Sequence, residues 1–430
     1  MNIKVHRGLE QIGGCITEIS TDTSRVFIDF GQNLPGCGEP ATPEQDAKMV
    51  EGLFEHDSHK ETAVFYTHAH EDHVGLFHYI PDGIPQYIGE GGKAMLIAKY
   101  ELIKRKDEIE FNVVSTLSQK NDSECQKVPA ERLAKAIIAD EERIGIIRGF
   151  HTWERTKPHA APKPIQIGDI RITPFFNCHS IYDSYMFLIE ADGKRIWHMG
   201  DYREHGYMGK GLLPTLKRYA SDIDVLITEG TMLKRDDECI HEREVFRKMA
   251  SVMDAFKYVV VLASATDIER LASIKEAAKK AGKRLYINGG LMKRTMKLFT
   301  EREAKLSKGL FDFHPTYLNP DNEKMIATMQ KNGFVLISGV NGLGIAEEPC
   351  EGVDPSEVLL IYSSWDGYYK KPEQVKLNPL YKEFRSRFAN VVDIHTSGHA
   401  SKETIRKIIN IVKPKEVICM HKEADAELLL

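Results

Sequence analysis

The sequence has no apolar run approaching the ~20 residues needed to cross a bilayer, so no membrane span is expected. Its opening, MNIKVHRGLEQIGG, has no apolar stretch after the basic residues, which argues against a secretory signal. Cysteine is sparse and scattered: seven residues, at 15, 37, 125, 178, 239, 350 and 419. The number is odd and no Cys-x-x-Cys occurs, so neither a disulfide framework nor a thiolate zinc site is indicated. A reducing, cytoplasmic setting follows by elimination. Tryptophan occurs three times, and Trp153, Trp197 and Trp365 read as core residues. Positive charge is in deficit, with 58 Lys and Arg against 63 Asp and Glu, for a net charge of −5. Proteins that grip long duplexes by their phosphates are usually basic, so any nucleic acid must be held in a local groove. No repeat or low-complexity tract is visible.

What is present is ordinary globular material. At 42% apolar and 28% charged residues, the 430-residue chain has enough apolar content for two or three domains of roughly 150 residues each. Short strands are expected at 3–9, 15–20 and 25–30, the last two joined through the polar cluster Thr21-Asp22-Thr23-Ser24. A helix near 44–55 precedes a buried strand at 63–67. Residues 91–160 are rich in charge at helical spacing, notably 93–106 and 130–147, and read as surface helices on one sheet face, with a lid over the site as the alternative. Strands resume at 170–177, 184–190, 195–199 and 223–229, with a hairpin turn at Ala191-Asp192-Gly193-Lys194.

From about 239 the pattern changes to strict alternation. Apolar strands at 258–263, 284–288, 334–338 and 358–362 alternate with helices at 267–280 and 291–301. This signals a parallel, doubly wound α/β unit. It divides the chain into a first part at 1–238, an insert at 239–389 and a returning segment at 390–430. The returning segment is expected to hold a strand at 390–394, a helix at 402–412 capped by Ser401 and stopped by Pro414, and a strand at 416–420.

The chemistry concentrates in Thr67-His68-Ala69-His70-Glu71-Asp72-His73-Val74-Gly75, directly after a buried strand. In an extended segment, residues two apart share a face, so His68 and His70 can bind one metal. Where the chain turns into a helix, Asp72 and His73 swing towards a second. Neutral imidazoles with carboxylates suit zinc, iron or manganese. Further ligands must come from elsewhere. His179, Asp201 and His421 each follow an expected strand; singly each is an ordinary strand-end residue, but their recurrence at strand ends raises the odds.

The order H-x-H-x-D-H, His, Asp, His resembles the metallo-β-lactamase superfamily over the whole chain. In that light Asp29, in Phe27-Ile28-Asp29-Phe30-Gly31, matches the family's early aspartate, which orients the ligand cluster. Thr228-Glu229-Gly230-Thr231 is similar to the acidic motif of the β-CASP nucleases. Ser397-Gly398-His399-Ala400-Ser401 is similar to the motif that brings a histidine to the scissile phosphate. His421 matches their last histidine, with Lys422 where glycine is usual. His179-Ser180-Ile181-Tyr182-Asp183-Ser184 resembles the corresponding segment of ribonuclease J, with Tyr182 in place of proline. The chain stops shortly after His421, so the C-terminal domain common in ribonuclease J is not expected.

The resemblance implies an αββα metallo-β-lactamase sandwich with an inserted β-CASP-like domain, an α/β fold. It implies two divalent ions, zinc or manganese, on His68, His70, Asp72, His73, His179, Asp201 and His421, with catalytic support from Asp72, His399, Glu229 and Asp29. The ligating carboxylates and one hydroxide would leave two such ions with a residual charge of about +1, which suits a phosphodiester. A hydroxide bridging them would attack, since metals lower the pKa of bound water to ~7. His399 would donate a hydrogen bond to the phosphate or protonate the leaving oxygen. The expected partner is single-stranded RNA, with a homo-oligomer left open. Two alternatives stand beside this ribonuclease: a hydrolase of a small ester, thioester, lactone or phosphodiester, and an inactive RNA-binding scaffold. Weaker candidates are the Gly-rich turn Gly339–Gly344, the helix entry Ser264-Ala265-Thr266, and a basic cluster of Lys283, Arg284, Lys293 and Arg294. Local turn, capping and surface roles explain these equally well.

Overall fold

The computed structural model describes residues 1–121, 127–153, 162–235, 238–305 and 307–428. The N-terminal sheet runs in chain order through β1 (Asn2–Arg7), β2 (Ile16–Ser20), β3 (Ser24–Ile28), β4 (Glu61–Phe65), β5 (Gln86–Gly89) and β6 (His151–Trp153). The first three strands pair antiparallel and the rest parallel. Between β2 and β3, Thr21 donates its N–H to the Ser24 carbonyl at 2.9 Å and closes the hairpin. A second sheet begins with β7 (Ile165–Ile167), β8 (Ile170–Asn177), β9 (Ser184–Ala191), β10 (Lys194–His198) and β11 (Val225–Glu229). The β9–β10 turn has positive φ at Asp192 (50°) and Gly193 (68°), the two-residue geometry whose twist suits a hairpin.

The third sheet is the insert: β12 (Tyr258–Leu262), β13 (Leu285–Ile287), β14 (Thr316–Tyr317), β15 (Phe334–Ser338), β16 (Val358–Tyr362) and β17 (Asn390–Asp393), in the order β14-β13-β15-β12-β16-β17. Every pairing is parallel. Its central strands are buried throughout, as a sheet covered on both faces demands. The chain returns to the second sheet as β18 (Glu416–Met420), which pairs parallel with β11.

One element differs from the sequence reading. The strand after 389 was expected in the returning segment, yet β17 pairs with β16 from Leu359↔Asn390 to Tyr362↔Asp393. Its first three residues are only half-buried, and its last is exposed, as befits an edge strand. A short edge strand carries little pattern to say which sheet it joins.

The first two sheets pack face to face through Val26, Phe65, Trp153, Ile172, Phe187, Ile189 and Ile227. Helices cover the outer faces. The helix Pro43–Glu55 starts in a capping box between Thr42 and Gln45. On the other side, the helix Lys402–Val412 is capped by Ser401 and ends where Lys413 turns left-handed at φ 49°, just before Pro414. Trp197 and Leu226 pack beneath it. This is the expected αββα sandwich with an inserted α/β unit.

The charged stretch after 90 forms two long helices, Glu90–Asn121 and Lys127–Gly149. Their described residues pack against each other and against the insert helix Gly290–Glu303, where Arg294 meets Glu101 at 3.1 Å. None of them lines the central cleft, so the surface reading stands over the lid. The end of that stretch, 154–160, lies outside the described residues. No helix among the described residues is long and apolar enough to cross a membrane.

Candidate metal centre and cleft

The donors gather at strand ends. His68 to His73 follow β4, His179 follows β8, Asp201 follows β10 and His421 follows β18. Two groups form. His68, His70 and His179 bring ligand nitrogens within 4.8 Å of one another, with His68 Nε2 to His70 Nδ1 at 3.0 Å and His70 Nδ1 to His179 Nε2 at 3.3 Å. In the second, His421 Nε2 lies 3.2 Å from Asp72 Oδ2, and His73 Nε2 lies 3.8 Å from the same oxygen. Asp201 sits between them. Its Oδ2 is 3.2 Å from His73 Nε2, 3.5 Å from His421 Nε2 and 3.8 Å from His179 Nε2.

Three of the rings are anchored through Nδ1. Asp29 takes His73 Nδ1–H at 2.8 Å and also accepts from the backbone N–H of Thr67 at 2.7 Å. The Gly398 carbonyl accepts His179 Nδ1–H at 2.7 Å. Thr231 Oγ1 lies 2.7 Å from His421 Nδ1. These contacts turn the Nε2 atoms of His73, His179 and His421 towards the donors they face. Asp29 and His421 hold left-handed backbone, at φ 65° and 52°, a conformation that costs energy and concentrates at functional sites.

The donor chemistry fits divalent cations. His73 Nε2 is buried and has no hydrogen-bond partner, although unpaired buried nitrogen is costly. Burial holds His68 and His179 well below their ordinary values and lowers His70 to about 4, so these rings are neutral. Burial opposes charge on His73 and His421, but Asp201 and neighbouring carboxylates outweigh it and push both up. Burial also works against ionised Asp201, yet His421 and His73 hold its carboxyl well below the usual range.

His399 stands at the rim. Its side chain is 20% exposed, against 0 to 3% for His73, His179, Asp201 and His421. Its Nδ1 lies 2.8 Å from Glu229 Oε2, while Glu229 Oε1 accepts the N–H groups of Tyr202 at 3.0 Å and Ala400 at 3.2 Å. So the carboxylate that ends β11 pins the loop that carries His399. All of the predicted site residues are brought together; Asp29 and Glu229 lie behind the cluster, bonded to His73 and His399.

The loop depends on a close backbone approach. A Cβ at Gly31 would collide with the carbonyl oxygen of Asp72. Gly31→Ala is expected to displace the H-x-H-x-D-H turn and to cost about 1–3 kcal/mol or more, read as lower denaturant resistance and loss of bound metal. Asp29→Ala should leave the fold intact but weaken metal affinity by roughly 10–100-fold, measurable by competition with a chromophoric chelator.

The cleft has a volume of about 1020 Å³ and runs between sandwich and insert, with His70, Asp72, His399 and His421 on one side. Several features escaped the sequence reading. Trp365, expected in the core, instead lines this cleft with Tyr368 and Tyr381, whereas Trp153 and Trp197 are buried. A buried ionic network joins the two parts: Arg203 meets Asp267 at 3.0 Å and Glu269 at 2.8 Å, and Arg270 meets Glu242 at 2.9 Å. Arg270 also donates to the Thr396 carbonyl at 3.1 Å, and His205 to the Ser397 carbonyl at 2.7 Å. No local pattern marks such residues, because their partners lie 28 to 192 positions away. Of the weaker candidates, Arg294 donates to the Ala98 carbonyl at 3.2 Å and Lys283 to the Met253 carbonyl at 2.7 Å, and residues 339–344 lie off the cleft, although Ser264 lines it.

A sandwich whose strand ends gather histidines and aspartates over a cleft is the architecture of a metallo-hydrolase. Residues 387–427 match the model of the Zn-dependent metallo-hydrolase RNA specificity domain. Ribonuclease J of Helicobacter pylori strain J99 is 21% identical over 433 residues, covering 97% of this chain and 55% of its own. Ribonuclease J of Thermus thermophilus is 22% identical over 425 residues, covering 97% and 67%. An RNase J-like protein of Methanocaldococcus jannaschii is 24% identical over 456 residues, covering 98% and 92%. The chain spans about half the length of the Helicobacter relatives, at 55%. A crystal structure of a protein of unknown function from Enterococcus faecalis shares the fold, with a TM-score of 0.68, 18% identity and coverage of 100% and 95%. Over nearly its whole length the chain is thus similar to ribonuclease J proteins, and over residues 387–427 to the metallo-hydrolase RNA specificity domain.

Proposed function

We propose that this chain is a metal-dependent ribonuclease that hydrolyses phosphodiester bonds of single-stranded RNA, with two divalent ions in the cleft and the insert taken as 239–393. The observation that carries this reading is the convergence of seven donors into one cluster, three of which (His70, Asp72 and His421) line the cleft, with His399 beside them held by Glu229. We assign His68, His70 and His179 to one ion and Asp72, His73 and His421 to the other, with Asp201 in reach of both. The donor set suits zinc, and manganese is compatible. Such ions, when bound, act as Lewis acids and lower the pKa of a water to ~7.

The chain's own residues supply the rest. Asp29, Gly398 and Thr231 hold the ligand rings in one tautomer and one direction, so no reorganisation is needed during the reaction. Glu229 accepts Nδ1–H of His399, which leaves Nε2 towards the cleft. From there it donates to a non-bridging phosphate oxygen or passes a proton to the leaving oxygen. The names of the relatives, and of the family model over the segment holding His399 and His421, favour RNA. One observation favours a second reading, a hydrolase of small esters or phosphodiesters: eight carboxylates but only four Lys or Arg side chains are among the cleft's described lining residues. An inactive scaffold is disfavoured, since every expected ligand type is present.

The test is to incubate the metal-loaded protein with end-labelled single-stranded RNA, with and without chelator, beside a panel of ester, lactone and small phosphodiester substrates. Chelator-sensitive RNA cleavage is expected, and the product ladder separates end from interior cutting. Turnover of a small substrate with intact RNA would overturn the reading.

A further inference from the structure

Part of the cleft lining is aromatic. Tyr368, on the short helix Gly367–Lys370, and Tyr381, on the helix Pro379–Ser386, stack at 4.3 Å between centroids and 17° between planes. Trp365 meets Tyr368 edge-on at 5.3 Å and 78°. A Cβ at Gly367 would collide with the indole, so glycine is what lets this ring lie against the backbone. Arg235, reaching from the sandwich side, sits 4.3 Å from the indole centroid, and Lys371 sits 5.2 Å away. All five residues line the cleft. Burial raises the Tyr368 hydroxyl, Arg235 opposes this and Asp72 adds to it, which puts the ring within electrostatic reach of the metal cluster.

Charge points the same way by elimination. The cleft's described lining carries eight carboxylates against four Lys or Arg side chains, and Arg270 among the four is buried against Glu242. Away from the metal centre there is little to hold a chain of phosphates. What remains is a cluster of aromatic rings flanked by cations, which can offer ring surface to a π-face.

We propose that the cleft holds its strand by the bases, with Trp365, Tyr368 and Tyr381 forming a stacking platform for unpaired nucleobases beside the bond to be cut. This rests on the ribonuclease reading and adds what that reading lacks, a means of binding without a basic groove. Paired bases present no free face, so duplexes are rejected. Stacking accepts every base, so sequence preference is weak. Binding depends on few counterions, so it tolerates salt.

The experiment titrates the metal-loaded full chain with a labelled single-stranded RNA ten nucleotides long, its duplex, and a strand of equal length in which abasic sugars replace the bases. Anisotropy gives affinity. Tryptophan emission reports on Trp365, because Trp153 and Trp197 are buried at 7% and 0% exposure. The base-bearing strand is expected to quench emission and to bind about tenfold or more tightly than the abasic strand. Its log affinity should fall with log salt less steeply than about −1.5, the slope of roughly two phosphates. Trp365→Ala should lose the quench and most of the tenfold preference, and Trp365→Phe should keep the preference. Equal affinity for base-bearing and abasic strands in the unaltered protein overturns the platform whatever the variants do. If RNA is cleaved under that result, the ribonuclease reading survives alone. If no strand is bound or cleaved while a small ester is turned over, both fall together.

Discussion

Replacing His399 by alanine is expected to lower the single-turnover rate of RNA cleavage by about 10²–10⁴-fold, the usual contribution of a positioned proton donor, with metal content unchanged. The separation follows from geometry. His399 Nδ1 is 2.8 Å from Glu229 but 3.7 Å from Asp201, and its ring is the most exposed of the cluster's imidazoles that form ion pairs with Asp201. It can therefore be removed without emptying the buried groups. Glu229→Gln should also slow cleavage, because its single amide oxygen cannot accept from both the ring and the N–H groups of Tyr202 and Ala400. Metal analysis beside single-turnover kinetics checks this. Loss of metal in His399→Ala would recast the residue as a ligand, and an unchanged rate would remove it from the chemistry.

The second large effect concerns the buried network. Arg270→Met is expected to destabilise the fold by about 3–5 kcal/mol, the cost of stranding a buried charge, seen as a lower midpoint in denaturant. Of its two arginines Glu242 would keep Arg203, at 3.4 Å, beside the Ser273 hydroxyl at 2.8 Å, and the Thr396 carbonyl would lose the Arg270 donor. Because Thr396 lies three residues before His399, RNA cleavage should fall as well. Lys297→Ala, at an exposed pair with 76% and 60% side-chain exposure, should leave stability unchanged. Acid provides an independent check. Burial opposes charge on Glu242, but Arg270 and Arg203 hold it at about 2 against an ordinary 4.5. A depressed carboxyl stabilises fully above its unfolded value and loses that contribution as pH falls. The unaltered protein should therefore lose stability between about pH 4.5 and 2, and Arg270→Met should lose less over that window.

Much of this was legible along the chain because the signals are local. His68 to His73 lie in one segment after a buried strand, and the alternation after 239 announces a parallel sheet whatever surrounds it. The strands before His179, Asp201 and His421 are continuous apolar runs, and that is why their ends could be named. β17 was misplaced because a four-residue edge strand carries no burial pattern to choose between sheets. Trp365 was read as core because a large apolar ring is usually buried, and neither its neighbours nor its spacing tells which side of the cleft it faces.

The sequence by itself determined the types of donor side chain, their order and the strands that carry them, since hydrophobic period and dense polar motifs act over a few residues. Only the tertiary structure decided which donors meet. His421 reaches Asp72 across 349 positions and Arg270 reaches Thr396 across 126, and the same packing brings three aromatic rings into the cleft that His70, Asp72 and His421 line. Contacts of that range are set by how sheets stack and where the insert docks, which depends on the packing of the whole chain.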